Sequence, residues 1–349
     1  MAERSCADDS PPTGTHHAQV PALEARRRRA LATLLALPAL LAAQARAAGV
    51  WPERPVRFVV PLPPGGSYDY LARLLGDQFR VAFNQSFVVE NRVGADGRLG
   101  IDHLVRQPAD GQTIGIISST HVVHPSLVRQ MPYDVLRDLA PIGLIAKAPF
   151  VLVVHPGVPV DSVSAYMALA RAQPGKLTFG SSGVGSPFHL AGELMKRMAG
   201  IDMLHVPYKG SSPVISALLG GEIMSAFAAL GPVLGHIQAG RLRALGIVDS
   251  QRTRVLPAIP TIAEAGPLPG YGLDSWLGLV APAGTPAEII DRIGSELNRT
   301  VQNPEFAEQR LIRQGYDPFV STPAAMRETM VSDLARYARL IRDANIPAE

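Results

Sequence analysis

Four short segments carry the glycines, hydroxyls and backbone amides best suited to holding a small anion. Pro61-Leu62-Pro63-Pro64-Gly65-Gly66-Ser67-Tyr68-Asp69 sets two glycines ahead of a helix start. There the backbone approaches a ligand closely and free N–H groups favour negative charge. Two readings stay open for this segment: an anion-binding loop, or a tight strand-to-helix turn capped by Ser67 or Asp69. No Gly-Lys-Ser/Thr follows, so it is not a nucleotide phosphate loop. Gly180-Ser181-Ser182-Gly183-Val184-Gly185-Ser186 offers a nest of amides and three hydroxyls, which suits a carboxylate. Its register fits neither Gly-x-Ser-x-Gly of a hydrolase elbow nor Gly-x-Gly-x-x-Gly of a dinucleotide loop.

Val206-Pro207-Tyr208-Lys209-Gly210-Ser211-Ser212 is the third segment. Tyr208 can wall a pocket, Gly210 and Ser211 open the next helix, and Lys209 reads as a solvated side chain. Ser118-Ser119-Thr120-His121 follows a strand, and its hydroxyls can complete the pocket. His121 and His124 lack a nearby third ligand for a metal. No nucleophile–base pair and no paired carboxylates can be assembled, so no catalytic residue, metal or cofactor is expected.

These segments need strands to end before them and helices to begin after them, and the sequence supplies both. Short β-branched runs alternate with amphipathic stretches, the α/β pattern. Strands are expected at Val56–Val60, Phe87–Val89, Thr113–Ile117, Ile142–Ile145, Phe150–Val154, Leu177–Phe179, His205–Val206, Met224–Phe227, Ala244–Val248 and Trp276–Ala281. Helices are expected between them, one presenting Leu71, Leu74, Leu75 and Phe79, and at the end over Pro286–Gln302, Pro304–Gln314 and Pro323–Asp343. The order fits two Rossmann-like α/β lobes joined by a hinge, residues 48–150 with 275–349 and residues 151–274. In such sheets ligands sit at the C-terminal ends of strands.

Arg26–Arg29, the uncharged run Ala30–Ala43 and Ala45-Arg46-Ala47 follow the basic, apolar, small order of a secretory signal, with cleavage near Ala47. The apolar run is shorter than a spanning helix and contains Pro38; a retained anchor is the competing reading. Translation starting near Val20 and a twin-arginine signal at Arg28-Arg29 both stay open. Residues 1–47 hold six of the 33 basic and four of the 30 acidic residues, which leaves the rest of the chain at a net charge of +1. That argues against a nucleic-acid partner. Cys6, the only cysteine, leaves with the leader, so the mature chain has no disulfide.

The sequence resembles the substrate-binding receptors of tripartite tricarboxylate transporters, the Bug family. The similar elements are Trp51-Pro52-Glu53-Arg54-Pro55 before the first loop, Val88-Val89-Glu90-Asn91-Arg92 with Gly94-Ala95, and His189-Leu190-Ala191-Gly192-Glu193-Leu194. Val206 to Ser211, His236 to Leu245, Pro260 to Gly266 and Ala281-Pro282-Ala283-Gly284-Thr285-Pro286 complete the set, in the family's order. The resemblance implies a periplasmic binding protein of type II-like fold, a monomer that captures a small carboxylate and delivers it to integral-membrane transporter subunits. Two departures are visible. Ala228-Ala229 stand where members often carry Asp, which disfavours an amino-bearing ligand, and Pro267 lengthens a turn.

The expected ligand contacts are Pro64, Gly65, Gly66, Ser67, Asp69, Ser118, Ser119, Ser181, Ser182, Gly185, Ser186, His189, Tyr208, Gly210 and Ser211. A sensor docking on a signalling partner, and an exported α/β hydrolase, are the rival functions.

Overall fold

A computed structural model describes residues 51–343. The leader and Cys6 lie outside the described residues. Residues 52–343 belong to one compact unit.

β1 (Val56–Val60) leads into α1 (Ser67–Phe83), whose Leu71, Ala72, Leu75 and Phe79 are buried at three- and four-residue spacing. β2 (Phe87–Asn91), a 3₁₀ turn at Ala95–Gly97 and α2 (Arg98–Val105) follow. β3 (Thr113–Ser118) is buried throughout and runs straight into α3 (Ser119–Leu127). The loop expected after Ser118 is therefore a helix. Ser118 caps it by accepting the Thr120 amide at 3.1 Å. Pro125 sits inside it and breaks the periodicity that would have announced it.

β4 (Leu139–Lys147) is followed after two residues by β5 (Phe150–Val154), and here the chain changes sheet. α4 (Val163–Ala172), β6 (Thr178–Ser181), α5 (Pro187–Ala199), β7 (Leu204–Pro207), α6 (Ser211–Leu219), β8 (Ser225–Ala229), α7 (Leu230–Gln238) and β9 (Arg243–Ile247) complete the second sheet and its helices. A short α8 (Ile262–Ala265) lies on the return path to β10 (Trp276–Pro282). α9 (Ala287–Val301) comes next. The stretch expected as one helix over Pro304–Gln314 winds instead through α, π and 3₁₀ turns. β11 (Asp317–Pro318) and α10 (Pro323–Asp343) close the chain.

The first sheet has the order β11-β4-β10-β3-β1-β2 and the second β7-β6-β8-β5-β9, giving a two-lobed α/β fold. β1 pairs parallel with β2 and β3, and β6 pairs parallel with β7 and β8. The strand that enters each sheet from the other, β5 or β10, runs antiparallel to both its neighbours. The crossing segments bond to each other: Ala148 N donates to Ser275 O at 3.0 Å and Val248 N to Phe150 O at 2.8 Å.

Two helices belong to both lobes. α3 gives Val122 to the core around Trp276 and Val123 to the core around Tyr166 and Phe179. α10 packs Met326 and Met330 into the first and Tyr337 and Ile341 into the second. At about 25 cal/mol per Å² of apolar surface, such side chains stabilise by roughly 1.5–3 kcal/mol each, so these helices hold the lobes together.

Candidate functional site

Each segment singled out above lies at the C-terminal end of a strand. In the first, Gly65 has φ +83°, a left-handed conformation that glycine takes at no cost. Asp69 is buried; its carboxylate accepts the Gly65 amide at 3.0 Å and pairs with Arg73 through two bonds of 2.9 Å. Arg73 holds that carboxyl below its ordinary range. Asp69 thus closes the turn from within, while Pro64, Gly65 and Gly66 are exposed and Ser67 half-buried.

Two tyrosines that sequence reasoning did not assign to the site brace this segment. The Tyr68 hydroxyl donates to the Ser118 hydroxyl, joining the β1 and β3 ends, and burial pushes its pKa up to about 12. Tyr316 lies beside the Ser67 side chain and stacks on Tyr70 with ring centres 6.1 Å apart. Tyr68 lay inside the quoted motif. Tyr316 is 249 positions beyond Ser67 in the chain, and nothing local to it points there. Ser118 and Ser119 are both buried.

In the second lobe, the Ser181–Ser186 and Tyr208–Ser211 segments are stitched together. Tyr208 N donates to Ser181 O at 3.0 Å and Gly210 N to Ser182 O at 3.2 Å. Ser181 is fully buried; its hydroxyl donates to Gly183 O at 3.0 Å and meets His205 Nε2 at 2.7 Å. It acts as a brace inside its own loop. Ser186 caps α5 through the His189 amide at 3.3 Å, and His189 Nδ1 accepts the Gly185 amide at 3.1 Å. Ser182, Gly185, Tyr208, Gly210 and Ser211 remain half-buried, Lys209 exposed.

The lobes meet beside these loops. A Cβ at Gly185 would touch Leu127 of α3 at 3.8 Å, so the second-lobe loop lies against the helix that follows Ser118. On the far side, Gly231 in the first turn of α7 approaches Gly315 so closely that a Cβ on Gly315 would fall 2.5 Å from the Gly231 Cα. Tyr316, next to Gly315, carries that contact to Ser67. A separate surface depression of about 420 Å³, lined by Asp102, Arg106, Pro132 and Asp138, lies away from all these strand ends.

Charge at the site comes from helix ends. α1, α6 and α7 begin on Gly66, Gly210 and Ala229, none of which supplies a side-chain cap. At α1 and α6 no hydrogen bond engages the first amide among the described residues, whereas at α7 Leu230 N donates to Pro149 O at 2.8 Å. The neighbouring cations Arg73 and Lys196 are already paired, with Asp69 and Glu193. Uncapped helix starts after β1 and β7 can favour an anion through their amide dipoles.

The sequence profile of the tripartite tricarboxylate transporter family receptor matches residues 71–346. The chain belongs to this family. It is 37% identical over 298 residues to Protein BugT of Bordetella pertussis, covering 85% of this chain and 91% of that one. It is 36% identical over 315 residues to a protein of Pseudomonas sp. strain P51 encoded between tcbD and tcbE, with 90% and 94% covered. Among solved structures it resembles an R. palustris protein with adipate, at TM-score 0.77 and 35% identity, covering 86% of this chain and all of that one. MatC from Rhodopseudomonas palustris with bound malate gives TM-score 0.71 at 25% identity, with 83% of this chain and all of that one covered. These receptors share the two-sheet architecture described above.

Proposed function

We propose that the protein is a periplasmic receptor that closes its lobes on a small dicarboxylate and delivers it to membrane transporter subunits, without itself catalysing a reaction. The observation that carries this reading is the pair of uncapped helix starts at Gly66 in the first lobe and Gly210 in the second. An anion bridging them binds the closed form better than the open one, and only such unequal binding shifts the equilibrium. The adipate and malate found in related receptors support a small carboxylate as the ligand class. Ala228-Ala229 at the end of β8 leaves the second lobe without a carboxylate there, in keeping with a ligand that has no amino group.

The lobes are assigned to residues 48–150 with 275–349 and to 151–274; the change of sheet between Lys147 and Phe150 and the return at Trp276 support these limits. A basic-apolar-small leader cut near Ala47 accounts for export. Among the described residues no helix is long and apolar enough to cross a membrane.

A thermal-shift screen of aliphatic mono-, di- and tricarboxylates tests the ligand class. A true ligand at 100 times its Kd adds about 2.7 kcal/mol to stability. No response to any carboxylate, alongside a clear response to an uncharged solute, would sink the reading.

A further inference from the structure

We propose that His189 and His205 are a stacked pair of positioning residues that hold the Ser181–Ser186 loop in its anion-accepting shape, and that acid releases this hold. The proposal rests on the carboxylate reading of the site and on the geometry of the two rings and the loop. The two rings lie parallel, 18° apart in tilt and 4.1 Å between centres, with Phe179 stacked behind His205 at 4.9 Å. Each ring grips one end of the loop. Ser181 has a single hydroxyl proton, which goes to Gly183 O, so the hydroxyl accepts from His205 and the His205 proton is assigned to Nε2. At the other end His189 Nδ1 accepts the Gly185 amide, which requires that nitrogen to be unprotonated. Between these two anchors Gly183 N also donates to Ser181 Oγ at 3.2 Å, so the amides of Ser182 and Val184 are those offered to the ligand.

Protonating His189 places an N–H on Nδ1, facing the Gly185 N–H, so the bond is lost. The charged groups facing the pair are Glu193, whose Oε1 is 3.9 Å from His189 Nε2, and Lys196, which pairs with Glu193 at 3.0 Å. Glu193 favours the imidazolium, but burial is the largest influence and opposes it, with Lys196 acting the same way. His205 is held down to about 4 by burial, then by His189 and Lys196. Both rings are therefore neutral at neutral pH, and the loop is braced. As pH falls below the ordinary imidazole range the bond to Gly185 goes first, because His205 donates through Nε2 in either state.

The test uses the chain from Ala48 onward and three proteins: native, His189→Asn and His189→Leu. Asn places an acceptor where Nδ1 stands and does not titrate; Leu keeps the bulk and removes the acceptor. Amide NMR of the unliganded proteins follows Gly185 between about pH 7.5 and about pH 5, and calorimetry with adipate follows binding over the same range. Adipate's own protonation is common to all three and cancels in the ratios. In the native protein the Gly185 amide moves upfield on acidification, and adipate affinity falls about fivefold more than in His189→Asn, the scale of one lost hydrogen bond. His189→Asn binds more tightly than His189→Leu, and its Gly185 resonance stays in place. A purely structural histidine would lower the melting temperature of both variants equally and leave the pH ratios untouched. A native Gly185 amide that ignores pH overturns the proposal, as does a parallel fall in affinity for native and His189→Asn. If adipate binds to none of the three, the ligand class fails while the amide titration still decides the brace.

Discussion

Asp249 accepts the Phe150 amide on Oδ1 at 3.0 Å, fastening the two crossing segments to each other at the hinge. Its other oxygen is buried with no hydrogen-bond partner, and burial pushes the carboxyl up to about 8, with Asp274 adding to the shift. A carboxyl whose folded value lies above its ordinary 3.8 binds a proton on folding. The stability it gives is fully present below about pH 4 and is lost as pH rises toward about 8. Asp249→Asn keeps the acceptor for Phe150 and removes the titration. Calorimetric melting at pH 6 and pH 8 should show the native protein losing stability with rising pH, and the variant staying nearly level. At pH 8 the variant should melt about 5 °C higher. Parallel pH profiles would mean that the carboxyl is solvated.

Gly66 opens α1 without a cap, and its φ of −86° is open to any residue. A Cβ there meets only Pro63 O, at 3.8 Å. Gly66→Leu should therefore fold normally, with a melting temperature within about 2 °C of native. Its side chain should cover the α1 amides and weaken adipate binding by about tenfold or more, a loss of about 1.4 kcal/mol. Full affinity in calorimetry would place the anion elsewhere.

Gly315 behaves differently. Its φ is +87° and a Cβ would run into the Gly231 backbone. Gly315→Ala should cost about 1 kcal/mol for the backbone conformation alone. The displaced backbone lies between the lobes, so ligand affinity should drop together with stability. A variant that melts early but binds adipate as tightly as native would show that this contact does not help closure.

Export makes a separate prediction. Mass spectrometry of the cell envelope should find a chain beginning close to Ala48, without Cys6. Dithiothreitol should then leave its melting temperature unchanged, since no other cysteine exists. An intact N-terminus embedded in the membrane would contradict the leader reading.

Most strands were legible because their burial follows sequence-local patterns: FVLVV is a continuous apolar run and VRFVV is interrupted only by Arg57, and the structure makes strands of both. The loops at strand ends followed from the same alternation. What stayed hidden depends on distant partners. Whether Ser181 faces the cleft or its own loop is decided by His205, which arrives on the neighbouring strand. Asp69 offered itself as a cap or a contact, and Arg73 one turn away settles it as a clasp. β11 is two residues, Asp317 and Pro318, too short for any periodicity. Its Asp317 nonetheless receives the Arg254 amide from the other sheet's return path at 2.9 Å.

α10 supplies Met326 and Met330 to one apolar core and Tyr337 and Ile341 to the other. Neither core is complete until nearly the last residue of the chain is available. Pairings this distant in sequence are slow to form, because the entropy of closing the intervening chain is spent before any contact rewards it. A nascent chain emerging N-terminus first thus holds β1 to β9 with both cores unfinished. Without the final helix each lobe presents an open apolar face, so α10 closes both cores at once.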